Sequence, residues 1–116
     1  MKGLRLFVLF SASWFIVGGV EAQLTLPESG DPTKGKMIYE KNCLICHGEH
    51  GKGDGVLGAS LRPPPTDLTG PVARAKSDMD MRTVILDGRG VMPAWKTRLK
   101  EQDIQNVIAY IRNLGK

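Results

Sequence analysis

Two cysteines and one histidine carry most of the chemistry available to this 116-residue chain, and they stand together as Cys43-Leu44-Ile45-Cys46-His47. A three-residue offset sets both sulfurs on one side of a helix end. From there they can form thioethers with the two vinyl groups of a haem, while the His47 imidazole turns toward the iron. Three other chemistries use the same residue types. A thioredoxin-like dithiol opens a helix, where the dipole lowers the thiol pKa, and sits in a βαβ unit. Here the pair closes a helical stretch, and no strand pattern surrounds it. A zinc site needs a fourth ligand, and His50 is the one remaining Cys or His, which would crowd four donors into eight residues. A disulfide across two intervening residues would staple almost nothing. The spacing favours covalent haem c, one per chain, through Cys43 and Cys46, with His47 as an axial ligand.

A second axial ligand must come from the opposite face, and it decides between electron transfer and catalysis. The strong donors outside the pentapeptide are His50 and the methionines at 37, 79, 81 and 92. His50 lies three residues from His47 and would have to cross the haem plane, so it reads as a solvated loop histidine. Met37 sits on the first helix, on the His47 side, and Met79 and Met81 sit in a short helix. All three read as packing. Met92 stands in a loop, 45 residues after His47, clamped by Pro93 and preceded by Gly88 and Gly90. That context suits a backbone wrapping around to bring sulfur to iron, and Met92 is the candidate. A thioether favours ferrous iron, so His/Met ligation raises the reduction potential and leaves no open position.

The elements that must hold these groups are short helices. Asp31-Pro32 supplies an N-cap and a proline at the first helical position, and Gly35, Ile38, Tyr39 and Asn42 follow at helical spacing. A first helix is expected over about 32–46. The glycine-rich run 48–58 and Pro63-Pro64-Pro65 exclude helix or central strand, so the middle is loop. Ser77-Asp78 caps a short helix bearing Met81, Val84 and Ile85, which Gly88 stops. Residues 89–98 are loop again. Ile104, Val107, Ile108, Ile111 and Leu114 line one face of a final amphipathic helix. There is no repeat and no second domain.

The amino end reads as an export signal. Lys2 and Arg5 precede fifteen uncharged residues, 6–20, and Val20-Glu21-Ala22 points to cleavage before Gln23. The stretch falls slightly short of a ~30 Å bilayer core at about 1.5 Å per residue, so the alternative is a retained membrane anchor. The domain organisation expected is a signal peptide over 1–22, a polar leader over 23–30 and a single domain over 31–116. Removing 22 of the 116 residues would leave 94. A domain that small buries roughly 60–65% of its unfolded surface, and a flat apolar cofactor would supply the missing core. The formal charge of +4 is too modest to make a case for nucleic acid, which is not expected as a partner, and two cysteines are too few for a disulfide scaffold.

The whole exported part resembles a class I (His/Met) cytochrome c, of the small bacterial periplasmic monohaem type. The resemblance rests on Gly35 and Tyr39 before CLICH and on GEHGKGDG at 48–55 after it. It continues through RPPPTDL at 62–68, VMPAW at 91–95 and Tyr110 in IAYIRNL at 108–114. It implies an all-α cytochrome c fold, three to five short helices and long loops wrapped around one covalent haem. The first and last helices would cross near right angles, Gly35 allowing the approach and Tyr39 and Tyr110 packing around it. The carbonyl of Pro64 or Pro65 would accept the proton of the second His47 nitrogen. Leu57, Leu61, Leu68 and Trp95 would wall the pocket. The function implied is that of a diffusible periplasmic one-electron carrier, not an enzyme, and a monomer. It would dock transiently between a dehydrogenase or quinol-oxidising complex as donor and an oxidase or reductase as acceptor. Lys41, Lys52, Lys96, Arg98 and Lys100 either steer it onto acidic partners or form a solvated face. The competing class is a haem subunit of a periplasmic complex oxidising a sulfur compound or an alcohol, or a peroxidase-like protein, which needs an open iron position and a distal base. A third reading keeps the amino-terminal segment as a tether to the inner membrane.

Overall fold

A computed structural model describes residues 29–116. The expected signal peptide and most of the polar leader lie outside the described residues. Five α-helices follow in order: α1 Pro32–Asn42, α2 Leu44–His47, α3 Pro71–Arg74, α4 Asp78–Asp87 and α5 Glu101–Asn113, with a 3-10 turn at Gly58–Ser60. Among the described residues there is no strand, only an isolated bridge between Arg89 and Met92. No helix among them is long and apolar enough to cross a membrane.

α1 begins where Asp31 accepts from the amides of Thr33 and Lys34 and Pro32 occupies the first turn. It stops sooner than the spacing predicts. Cys43 separates it from the one-turn α2, so the expected single helix over 32–46 is two. α4 matches its expected bounds. Ser77 and Asp80 form a reciprocal capping box at its start, and Gly88, at φ 73°, ends it. α3 was not expected; Pro71 at its first position lets four residues turn after Gly70. The Arg62–Pro63 peptide is cis.

The core is the crossing of α1 and α5. Tyr39, Ile104 and Val107 are its fully buried side chains, joined by Ile108, Ile111, Leu114, Ala73, Met81 and Ile85. Gly35 makes the crossing possible: a β-carbon there would stand 1.9 Å from the Asn106 carbonyl oxygen. The Tyr39 and Tyr110 rings pack beside it, 5.2 Å apart and tilted by 57°. Asn106, buried in the same seam, accepts from the Asp31 amide at 2.8 Å and thereby ties the cap of α1 to α5. At the far end Arg74 donates to the Leu114 carbonyl at 2.7 Å, satisfying a terminal carbonyl that α5 leaves without a partner.

Candidate functional site

α2 presents Cys43, Cys46 and His47 at the end of a helical segment, where backbone carbonyls lack helical partners. The following loop supplies those partners in a regular ladder. Leu57 donates to Ile45 at 2.9 Å, Gly55 to Cys46 at 3.1 Å, Gly53 to His47 at 2.8 Å and Gly51 to Gly48 at 3.2 Å. Alternate residues 51, 53, 55 and 57 thus face the helix end, while Lys52, Asp54 and Val56 between them face solvent. This is the physical reason for GKGDG. Gly53 has φ 81°, and a β-carbon there would lie 2.3 Å from the Pro65 carbonyl oxygen. The ladder is anchored to the proline-rich segment by Leu68, whose amide donates to Gly51 at 2.7 Å.

His47 is held by this frame with its Nδ1 buried and without a hydrogen-bond partner. Burial pushes the imidazole pKa below its ordinary value, and the nearby Thr66 backbone partly offsets that. The neutral ring is the form that binds a metal. Nδ1 has no hydrogen-bond partner and the Pro65 carbonyl is turned onto Gly53, so the expected bond from His47 to the carbonyl of Pro64 or Pro65 is not formed.

Cys43 and Cys46 are free and half-buried. Burial, reinforced by the neighbouring Cys46, pushes the Cys43 thiol up to about 12. A thiol held neutral is a poor redox nucleophile, which counts against the dithiol reading. His50 does not join them. It is exposed and lines a shallow depression with Lys36, Glu40, Glu49 and Tyr110. Among the described residues no three His, Cys, Asp or Glu side chains come together in metal-binding range.

Met92 sits in a pinned loop. Arg89 and Met92 exchange backbone hydrogen bonds at 3.1 and 3.0 Å, Trp95 donates to Ile85 at 3.1 Å, and Lys96 donates to Leu86 at 3.2 Å. Gly88 permits the return, since a β-carbon there would meet the Met92 carbonyl at 2.5 Å. Met92 is half-buried against the core cluster, as are Cys43, Leu44, Leu68 and Trp95. Of the methionines at 37, 79 and 81, Met81 is buried in the core as expected, whereas Met37 and Met79 are exposed, so Met79 does not fill the core. Leu57 is 46% exposed, so it is the least enclosed of the four expected wall residues. Sequence reasoning missed the amide ladder. The alternation of glycine with polar residues from 51 to 55 was its available signal.

Three of the five basic residues near the site are engaged. Lys52 donates to Thr69 at 2.7 Å and lies 3.9 Å from Asp67. Lys96 is 3.7 Å from Asp87, and the Arg98 guanidinium stands 5.6 Å from the Trp95 ring centre.

These residues fit a covalently attached haem: two free thiols and a neutral imidazole on one helix end, and a pinned thioether in a separate loop. The fold and the pentapeptide define a class I c-type cytochrome domain, whose cofactor is covalently bound haem c and whose work is electron transfer. The chain belongs to the family of cytochrome c oxidase, cbb3-type, subunit III, whose profile matches residues 30–111. It is 39% identical over 83 residues to the cbb3-type cytochrome c oxidase subunit CcoP of Azospirillum brasilense, a match covering 71% of this chain and 28% of that one. To subunit FixP of Bradyrhizobium diazoefficiens it is 38% identical over 87 residues, covering 73% and 28%. The chain therefore spans under a third of the length of these relatives. Among solved structures, cytochrome c6 of the diatom Phaeodactylum tricornutum superposes with a TM-score of 0.56 at 26% identity, covering 71% of this chain and 91% of that one. A chain of the Kuenenia stuttgartiensis reducing HAO-like protein complex gives 0.61 at 29% identity, covering 70% and 41%.

Proposed function

We propose that this chain is a periplasmic one-electron carrier whose haem is attached through Cys43 and Cys46 and ligated by His47 and Met92. The observation that carries this reading is the Met92 loop. Its thioether side chain, far from His47 in sequence, is fixed by a doubly pinned backbone and packs against the same core as Cys43. When bound, the haem supplies a reversible ferric–ferrous couple. The protein supplies the rest. The amide ladder fixes the His47 backbone, burial keeps the imidazole neutral, and the 88–95 loop pins the Met92 backbone. With His47 and Met92 as its protein ligands the iron would have a raised potential and no open position for a substrate, which suits a carrier and not a catalyst.

Export by residues 1–22, with cleavage before Gln23, places the carrier in the periplasm as a monomer. Its donor is a dehydrogenase or a quinol-oxidising complex, its acceptor an oxidase or reductase, and docking is transient. A second reading is favoured by one observation, the match to subunits of cbb3-type oxidases. In it the domain is the haem-bearing part of a periplasmic oxidoreductase complex, or a carrier tethered by an uncleaved amino-terminal segment.

The optical spectrum of the exported ferric protein tests the ligation. The expected result is a low-spin Soret band with a weak far-red sulfur-to-iron band, which Met92→Ala abolishes. A high-spin ferric spectrum that shifts on adding cyanide would overturn the closed site and with it the carrier. Co-migration of the wild-type haem with a larger membrane complex, and none free, would favour the subunit reading.

A further inference from the structure

Tyr39 is fully buried in the α1–α5 seam, a place where phenylalanine would fill the same space. Its hydroxyl nevertheless has a specific partner: it donates to the Gly48 carbonyl at 2.7 Å. Gly48 directly follows His47, so this hydrogen bond holds the Gly48–Glu49 peptide, one residue beyond the peptide that leaves His47. The same carbonyl takes the Gly51 amide at 3.2 Å, the last rung of the ladder. On the other side of that peptide, Gly53 holds the His47 carbonyl at 2.8 Å. The two bonds grip consecutive carbonyls from different elements, one from α1 and one from the glycine loop.

We infer that Tyr39 is a positioning residue for His47, acting through its hydrogen bond to Gly48 and so setting the axial imidazole's orientation toward the haem. The inference rests on the proposed ligation by His47. Burial, with Cys43 and Tyr110 nearby, raises the Tyr39 pKa above its ordinary value, so the hydroxyl stays a neutral donor throughout the working pH range. Gly48 sits at a left-handed φ of 82°, where glycine has no side chain to hold the turn, so hydrogen bonds alone fix it: its amide to Leu44 at 2.9 Å, and its carbonyl from Gly51 and Tyr39. A ligand ring whose parent backbone rotates changes its overlap with the iron orbitals, and that change appears in spectroscopic and redox properties instead of in attachment.

The test compares exported, haem-loaded wild type with Tyr39→Phe and Tyr110→Phe by low-temperature electron paramagnetic resonance of the ferric form and by equilibrium redox titration. Tyr39→Phe is expected to load haem and stay low-spin, yet shift both the g-values and the reduction potential. Tyr110→Phe, which keeps the Tyr39–Gly48 bond, leaves both in place. A difluorotyrosine at position 39 keeps the ring and strengthens the donor, so it shifts the potential opposite to Tyr39→Phe and serves if that variant loads poorly. Unchanged g-values and potential in both position-39 variants, with only a lower Tm, would overturn the inference and leave Tyr39 as core filling. A wild type lacking a histidine-ligated low-spin signal would overturn the ligand assignment and this inference with it.

Discussion

Gly53 donates its amide to the carbonyl of His47 at 2.8 Å while its own α-carbon rests against the Pro65 carbonyl. The residue therefore joins three things: the helix end that bears the candidate ligand, the glycine loop and the proline-rich segment.

Gly53→Ala should damage this junction. The substitution meets a left-handed φ of 81° and a backbone oxygen 2.3 Å from the new β-carbon, which cannot swing aside as a side chain would. The conformational strain alone costs about 1–3 kcal/mol. At roughly 4–8 °C per kcal/mol for a domain of this size, thermal unfolding of the haem-loaded protein would show a Tm drop well outside error. Gly90→Asn is the contrast. Its φ of 57° is left-handed too, but nothing lies within 4 Å and asparagine tolerates the conformation. It should move Tm much less, and equal losses would refute the junction.

Gly35→Val should separate the two long helices. A β-carbon 1.9 Å from the Asn106 carbonyl has no room, and the added methyls worsen the overlap. Overpacking costs typically 1–3 kcal/mol and more where backbones meet directly. The expected outcome is a fall in haem-loaded yield and in Tm, with loss of the near-ultraviolet signal from Tyr39 and Tyr110. Wild-type Tm in this variant would show that the crossing is looser than its geometry.

Two arginine contacts should differ in worth. Arg112 donates to Asp78 at 2.9 Å and to the carbonyls of Arg74 and Lys76, tying α5 to the turn before α4. Its side chain is 27% exposed. Loss of those charge-assisted bonds to backbone oxygens should cost about 1–3 kcal/mol in Arg112→Ala. Arg82 makes a forked pair with Glu101 at 2.7 and 2.8 Å, but both partners are well exposed. Solvent screens such a pair, so Arg82→Ala should cost clearly less. Chemical denaturation of the two variants side by side decides it.

Acid should act through three carboxylates. Hydrogen bonds from Thr69 hold Asp67 below its ordinary 3.8, those from Ser77 do the same for Asp80, and the Arg82 pair lowers Glu101 from 4.5. A lowered folded-state pKa means the unfolded chain binds protons more readily. The stabilisation is therefore complete above about pH 5, fades as pH falls past the ordinary values, and is gone below the folded ones. Asp67→Asn combined with Asp80→Asn should flatten the acid limb of a stability–pH curve between about pH 5 and 2. An unchanged limb would assign acid sensitivity elsewhere.

Much of this molecule can be read from its residues, for reasons that differ by element. The final helix is legible because five apolar side chains repeat at helical spacing and all five are buried. The helix at 78–87 is legible because Ser77 and Gly88 punctuate it chemically. Cys43, Cys46 and His47 are legible because so few chemistries use that pentapeptide. The break at Cys43 is not, since nothing in KNCLICH opposes helix. The amide ladder is not, because it joins residues up to twelve apart through backbone alone, and a backbone donor leaves no mark on side-chain type except the glycines that make room for it.

The α1–α5 crossing also imposes an order in time. A chain made from its amino end presents Gly35, Tyr39, Cys43 and His47 long before Ile104 and Val107 exist to cover them. Until the last turn of α5 arrives, the seam has no second side and the Tyr39 ring has nothing to bury it. The seam is therefore a late property of the molecule, closed only when the carboxyl-terminal helix is in place.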